Sequence, residues 1–285
     1  MEKISRKSFV KGALGLGAVG ILAGCGSSAD STAASASSTA APAEKKEFTF
    51  ADTVRWDAQY DVVVMGMGAA GMVAAKTAAD NGAKVVIVEK CEEGKAGGNT
   101  KVCGQLFAYA NGDKDAAKSY YTALAGGRDI EPEIIDAISE GVANMADILA
   151  DEFGFNKDEY MDWTGVNVVG TNMGAMSPEY PEMPGHEKMA LWTTHAGASD
   201  GYLYQGLKQN VTDRVDAIDV WYSSPAKSLV QDPVTKTVVG VTVERDGKEM
   251  NIRALNGVCI CTGGFECNKE MVQHYLNVIN YAARG

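Results

Sequence analysis

Proline is scarce in this chain, with 7 residues in 285, and histidine is scarcer, with 3. Basic residues are outnumbered, 26 against 37 acidic, giving a formal net charge of −11. That balance argues against a nucleic-acid or anionic-membrane binder, since both need clustered positive charge. No run of about 18 apolar residues occurs, so the body of the chain holds no transmembrane helix. The six cysteines show no regular framework, and no Cys-x-x-Cys-His haem attachment sequence is present. With 46% hydrophobic and 22% charged residues, wholesale disorder is excluded. What remains is an acidic chain long enough for one large domain or two ordinary ones.

The first 25 residues have the character of a processing signal. Lys3, Arg6, Lys7 and Lys11 form a basic start, and an apolar run follows at 13–23. Leu22-Ala23-Gly24-Cys25 then reads as a lipobox, with Cys25 the lipidated residue after cleavage. Residues 5–11 resemble the twin-arginine export motif, with Lys7 as the second basic residue. Residues 26–55 begin with a Ser/Ala/Thr-rich stretch that cannot bury a core and should act as a flexible tether. Together these features place the folded body, 56–285, on the extracytoplasmic face of a bacterial membrane, anchored by lipid.

In that body, the β-branched run at 60–65 predicts a strand, the Ala-rich stretch at 69–81 a helix, and 84–89 a second buried strand. Helices are expected at 113–125, 131–153, 199–209 and 268–277. In the long one, Ile134, Ile138, Val142, Met145, Leu149 and Phe153 recur at helical spacing, and Ser199 or Asp200 would cap the third. Strands at 238–245 and 248–253 flank Asp246-Gly247, a hairpin signal, and 257–261 is a further short strand. Residues 91–112 read as loop, and 155–194 carry no assignable pattern.

Gly66-Met67-Gly68-Ala69-Ala70-Gly71 is a G-x-G-x-x-G sequence leaving a strand and entering a helix. In that context Gly66 permits a tight turn, Gly68 lets backbone approach a pyrophosphate, and Gly71 allows close packing. The helix N-terminus adds free N–H groups and the positive dipole end. Glu89 closes the second strand, 18 residues after Gly71, where its carboxylate can accept hydrogen bonds from ribose hydroxyls. The fingerprint alone does not separate NAD from FAD.

Glu89-Lys90 followed by Gly97-Gly98-Asn99-Thr100 resembles the second flavin-contact stretch of the fumarate reductase and succinate dehydrogenase flavoprotein family, to which 3-ketosteroid dehydrogenases and urocanate reductases are related. Cys261-Thr262-Gly263-Gly264-Phe265 resembles that family's Ala-Thr-Gly-Gly-Phe. The resemblance covers residues 58–285. It implies an α/β fold: a Rossmann-like, doubly wound FAD-binding domain with part of an inserted capping region, incomplete at its C-terminus. FAD is the implied cofactor. Gly66, Gly68, Ala69, Ala70 and Gly71 would hold the pyrophosphate, and Glu89 and Lys90 would sit at the adenosine ribose. Gly98, Asn99 and Thr100 would approach the diphosphate and flavin, with Gly104 and Gln105 beside the isoalloxazine. Related chains often have glycine where Gln105 stands. Ala226 would offer backbone to the adenine, and Thr262 and Gly263 would lie close to the same end.

The family's proton-donating arginine and carboxylate-clamping groups lie C-terminal to the Thr-Gly-Gly-Phe motif, so no catalytic residue is carried over. The resemblance implies reduction of the C=C bond of a small unsaturated carboxylate or enone. Electrons would come from a separate extracytoplasmic cytochrome or FMN protein. The alternative is a truncated, lipid-anchored chain that holds FAD weakly and catalyses nothing. A lipid-anchored solute-binding protein ranks behind both, since the dinucleotide fingerprint does not suit it.

Other residues read more simply. Cys259-x-Cys261 shares one face of a strand and reads as two small buried apolar residues, rather than a metal or redox pair with Cys267. His195 reads as an exposed loop histidine, with a substrate-side role as the alternative. His274 reads as a surface residue, and Met173, Met176, Met183 and Met189 as pocket lining or core filler.

Overall fold

In the computed structural model, which describes residues 48–164, 178–196 and 200–276, the β-branched run forms strand β1, Ala58–Met65. The expected signal and most of the expected tether lie outside the described residues. The chain divides into two units, Met1–Val54 and Arg55–Gly285. Among the described residues of the first, Phe50–Thr53 form a 3-10 turn, with Thr49 donating to the Asp52 carboxylate.

The second unit carries the sheet. A parallel neighbour for β1 needs a crossover of a dozen or more residues, which helix α1, Ala69–Asp80, supplies before β2, Val85–Val88. Asn81 caps α1, and Gly82 takes a left-handed φ of +86° to turn the chain back. The remaining strands of this sheet are β6, Ile218–Trp221; β7, Ala226–Gln231; β8, Val238–Arg245; and β9, Lys248–Ile260. The strand order is β6-β2-β1-β9-β8-β7. The first four strands run parallel, and β7, β8 and β9 form an antiparallel meander.

The two-residue period of a strand sorts its side chains to two faces. Val62, Val64, Val85 and Ile87 pack on one face with Met72 and Ala75 of α1 and with Leu203, Leu207 and Val211 of helix α6, Tyr202–Thr212. Val63, Val86 and Val88 face the other way and pack with Val241, Val243, Ile252 and Ala254 of the meander. The α/β expectation therefore holds. Among the described residues, the layer on this second face is built from strands rather than helices.

The two strands expected at 248–253 and 257–261 are one. Tyr60 pairs with Ala254 but Val62 with Gly257, so two residues of β9 stand opposite Asp61. The pair Leu255-Asn256 is thus a bulge that lets one strand serve both β8 and β1. The β8–β9 turn matches expectation, with positive φ at both Asp246 and Gly247.

The long helix expected at 131–153 is two: α4, Pro132–Ala143, and α5, Met145–Phe153. Asn144 sits between them at φ −109°, ψ 10°, its side-chain amide donating to the Glu140 carbonyl. The break lets each half aim its own face. Helix α4 buries Ile135, Ser139 and Val142, leaving Ile134 and Ile138 52% and 41% exposed. Val142 packs with Ala117 and Tyr120 of helix α3, Lys114–Leu124, whose N-cap Asp113 accepts from the Ala116 N–H. Helix α5 aims Ala146, Leu149 and Phe153 at the main core.

A second sheet arises partly within 91–112, which was expected to be loop, and partly within 155–194, where no pattern was legible. It has strands β3, Leu106–Tyr109; β4, Met161–Asp162; and β5, Ala190–Thr193, in the order β3-β5-β4. Helix α2, Gly98–Val102, precedes β3, and helix α7, Lys269–Leu276, is capped by Asn268 accepting from the Met271 N–H. Helix α6 starts at Tyr202, where Asp200 accepts its N–H at 3.0 Å; Ser199 lies outside the described residues.

Candidate functional site

The C-terminal ends of β1, β2 and β9 meet at one edge of the parallel sheet. Gly66 follows β1 at φ +100°, donating its N–H to the Val88 carbonyl at 2.8 Å, while the Cys261 N–H donates to Met65 at 2.9 Å. A Cβ on Gly66 would lie 2.5 Å from the Cys261 oxygen, and one on Gly71 would lie 2.0 Å from the Gly66 oxygen. Both neighbours are backbone, so this turn admits only glycine at the two positions.

Of the four first-turn N–H groups that α1 cannot pair within itself, that of Ala69 donates to the Thr100 hydroxyl at 2.9 Å. Those of Gly68, Ala70 and Gly71 stand at the positive end of the helix dipole, the arrangement that receives a phosphate. Gly68 lies beside Thr100 and the Gly97 carbonyl, so the Gly97–Thr100 backbone passes over the turn.

Glu89 is buried, 7% exposed, and both its oxygens are in use. One accepts the Met67 N–H at 2.8 Å and the other the Cys91 N–H at 2.9 Å. A carboxylate oxygen accepts more than one hydrogen bond, so the group fixes the turn and keeps acceptor capacity for a hydroxyl. The Cys91 thiol beside it is pushed up by burial and then by the Glu89 charge. Lys90 is exposed. Ser224, fully buried, donates its N–H to the Glu89 carbonyl at 2.8 Å, which brings Ala226, two residues on, to the same neighbourhood. Thr262 and Gly263 are exposed at the end of β9, with the Thr262 Cα 3.5 Å from a Cβ built on Gly66. The Asn99 amide donates to Glu266 at 3.3 Å, joining the start of α2 to the segment after β9.

The fingerprint glycines, Glu89, Thr100 and Thr262 therefore converge, and Gly98 and Asn99 lie with Thr100 in the first turn of α2. Gly104 is half-buried. Gln105, expected beside a flavin ring, points its side chain into the protein. Its side chain is 1% exposed and turned inward, donating to the Thr100 and Cys103 carbonyls and accepting from Tyr204. Ser224, Glu266 and Tyr204 were missed by sequence reasoning. The first two belong to no motif, and Tyr204 follows the apolar period of a core helix.

His195 is not an exposed loop residue. Its side chain is 21% exposed, its Nε2 lies 2.7 Å from Asp200, and its ring stacks on Tyr202 with centroids 4.0 Å apart. The Tyr202 N–H, then the His195 contact, hold the Asp200 carboxyl below the ordinary range. His274 is exposed, as expected, and His186 caps a turn through the Met183 carbonyl. Cys259 and Cys261 pack against the α1 face of the core, where burial raises both thiols. Met189 is core and Met183 packs beside it, while Met173 and Met176 lie outside the described residues.

Comparison with known proteins agrees with this geometry. Residues 61–283 match the FAD binding domain family. An NADH:fumarate oxidoreductase of Klebsiella pneumoniae (strain 342) is 30% identical over 225 residues, covering 76% of this chain and 22% of that protein. A urocanate reductase of Eggerthella lenta is 30% identical over 226 residues, covering 75% and 33%. A 3-oxosteroid 1-dehydrogenase of Comamonas testosteroni is 26% identical, covering 77% and 49%. This chain thus spans between about a fifth and a half of these relatives' lengths. Among solved structures, the 3-ketosteroid delta1-dehydrogenase of Sterolibacterium denitrificans superimposes with a TM-score of 0.61 at 20% identity, covering 76% of this chain and 50% of that one. A flavocytochrome c3 fumarate reductase gives 0.59 at 22%, covering 79% and 37%. These two likenesses establish the fold. The glycine turn, the open first-turn donors and the buried Glu89 all suit a dinucleotide, and the chain belongs to the FAD binding domain family, with FAD as its cofactor.

Proposed function

We propose that this chain works as an FAD-dependent oxidoreductase that reduces the C=C bond of a small unsaturated carboxylate or enone. The observation that carries this reading is the convergence of three separate stretches, 66–71, 97–100 and 261–262, on one sheet edge. Its support in chemistry comes from relatives named for fumarate, urocanate and 3-oxosteroids. When bound, FAD supplies two-electron, hydride-transferring chemistry. The chain's own residues supply the cradle. Gly66, Gly68, Ala69, Ala70 and Gly71 hold the pyrophosphate, Glu89 with Lys90 takes the ribose, and Ala226, Thr262 and Gly263 line the adenine side. Gly98, Asn99 and Thr100 carry the diphosphate toward the flavin, where the backbone of Gly104 follows.

The test is anaerobic. The full chain is loaded with FAD, reduced with a viologen dye, and offered fumarate, urocanate and a 3-oxo-4-ene steroid in turn. Substrate-dependent dye oxidation by one of the three supports the reading. Stable flavin with no turnover on any of them favours the alternative of a chain that holds FAD without catalysing.

Export and the lipid anchor at Cys25 belong to the same proposal and rest on the N-terminal sequence, while a separate cytochrome or FMN electron donor rests on the resemblance to exported flavoproteins and on the lack of a haem attachment sequence in this chain. Cys25→Ala should abolish labelling by radioactive palmitate and release the chain from the membrane fraction. Equal labelling of wild type and variant would remove the anchor.

A further inference from the structure

Gln105 occupies a place where its backbone is a liability. Its φ is +61°, a left-handed conformation that glycine adopts freely and other residues adopt at a cost. Yet the glutamine side chain is buried and saturated. Its amide nitrogen donates to the Thr100 carbonyl at 2.8 Å and the Cys103 carbonyl at 3.1 Å, and its oxygen accepts the Tyr204 N–H at 3.1 Å. That N–H is one of the first-turn donors that α6 cannot satisfy internally. Gln105 is thus a cap for α6 supplied from another part of the chain.

Tyr204 completes the arrangement from the helix side. Its hydroxyl donates to the Ala96 carbonyl at 3.1 Å, and its ring lies where a Cβ on Gly97 would be, 2.5 Å away. Lys101 lies over the same ring at 5.8 Å and donates to the Gly94 carbonyl. The segment from Ala96 to Cys103 is therefore gripped from both ends by two side chains that are bonded to each other through the Tyr204 backbone. Thr100 sits inside that grip and holds the Ala69 N–H of the dinucleotide helix. Each polar group in the set has its partner, the condition under which a buried network rigidifies its surroundings.

We propose that Gln105 and Tyr204 form a strut that pre-organises the Gly97–Thr100 segment, the start of α2, against α1, making both of them positioning residues for FAD. The strut spares that segment the ordering that cofactor binding would otherwise require. It rests on FAD as cofactor and not on the reductase reading, so it stands whether or not the chain turns over a substrate.

The strut view and the backbone-strain view give opposite answers for Gln105→Gly. Relief of strain alone would leave FAD affinity unchanged or improved. Loss of the strut removes three hydrogen bonds and should raise the FAD Kd of the full chain by about ten- to a hundred-fold. Tyr204→Phe keeps the ring and loses only the Ala96 bond, and should raise it by roughly three- to ten-fold. Because both residues grip one segment, the double variant should be no weaker than about Gln105→Gly alone, a non-additivity that independent sites would not show.

Affinity is read by flavin fluorescence quenching well below each variant's melting temperature, together with the fine structure of the bound flavin's visible band. A Gln105→Gly chain that melts earlier but binds FAD within about two-fold of wild type would overturn the strut and leave the cofactor standing. So would additive effects in the double variant. A wild-type chain that takes up no FAD at all would overturn the cofactor and the strut together.

Discussion

Glu89 shows how a residue whose place is legible from spacing can hold more than the spacing tells. Its place at the end of β2 was legible from the motif, but its two bonds to the Met67 and Cys91 N–H groups were not. They make Glu89→Gln a sharp test, because an amide must then face one of those donors with a donor of its own. That mismatch should cost about 1–3 kcal/mol in stability and weaken FAD binding, measured by thermal unfolding and by flavin titration. Gly71→Ala is more severe. Its Cβ would meet the Gly66 backbone oxygen at 2.0 Å, with no flexible side chain to give way. We expect a loss of at least about 1–3 kcal/mol in the melting transition and no retained flavin. The inward turn of the Gln105 side chain and the partial burial of His195 were not legible for one reason. Both residues lie in segments without periodicity, where partners far along the chain decide whether a polar side chain faces solvent. The partner was Tyr204 in one case and the Asp200–Tyr202 pair in the other.

At the scale of elements, the legible ones were long or repeated. Strands β1 and β2 and helix α1 appeared close to their expected bounds because each carries a continuous apolar or Ala-rich run. The helix break at Asn144 was not legible, since the apolar spacing on its two sides runs on without interruption. Which face each half buries is set by α3 and by the sheet, not by the helix itself. Strands β3, β4 and β5 have four, two and four residues, too few for alternation to register.

The end of α1 carries a prediction of its own. Asp80 accepts from Arg214 at 2.5 and 3.1 Å and from the buried Lys76 at 2.8 Å, tying α1 to the turn after α6. The Arg214 hydrogen bonds, with help from Lys76, hold its carboxyl below the ordinary range. A depressed carboxyl stabilises the fold above its unfolded pKa, near about 3.9, and that contribution is lost as pH falls through the folded value. Asp80→Asn should therefore lower the melting temperature at neutral pH, by an amount equivalent to about 0.5–1 kcal/mol, since the carboxylate is partly exposed and screened by solvent. The gap to wild type should close in acid below the carboxylate range. A gap that stayed constant with pH would show that Asp80 acts through shape alone.

Across the whole molecule, two distant stretches matter as much as the glycine fingerprint. Thr100 and Cys261–Thr262 reach the fingerprint only because β9 runs parallel to β1 and α2 lies against the start of α1. The bulge in β9 lets a single strand finish the hairpin and still deliver Thr262 to the turn. The resemblance to flavoproteins anticipated that return of the chain, whereas propensity and periodicity alone did not. The measurement that tests this architecture most directly is the visible spectrum of the purified full chain after FAD is added and unbound flavin is removed by gel filtration. One flavin per chain, with a resolved bound-state band that Gly71→Ala abolishes, is the expected result. A colourless wild-type protein that elutes folded and free of flavin would contradict it.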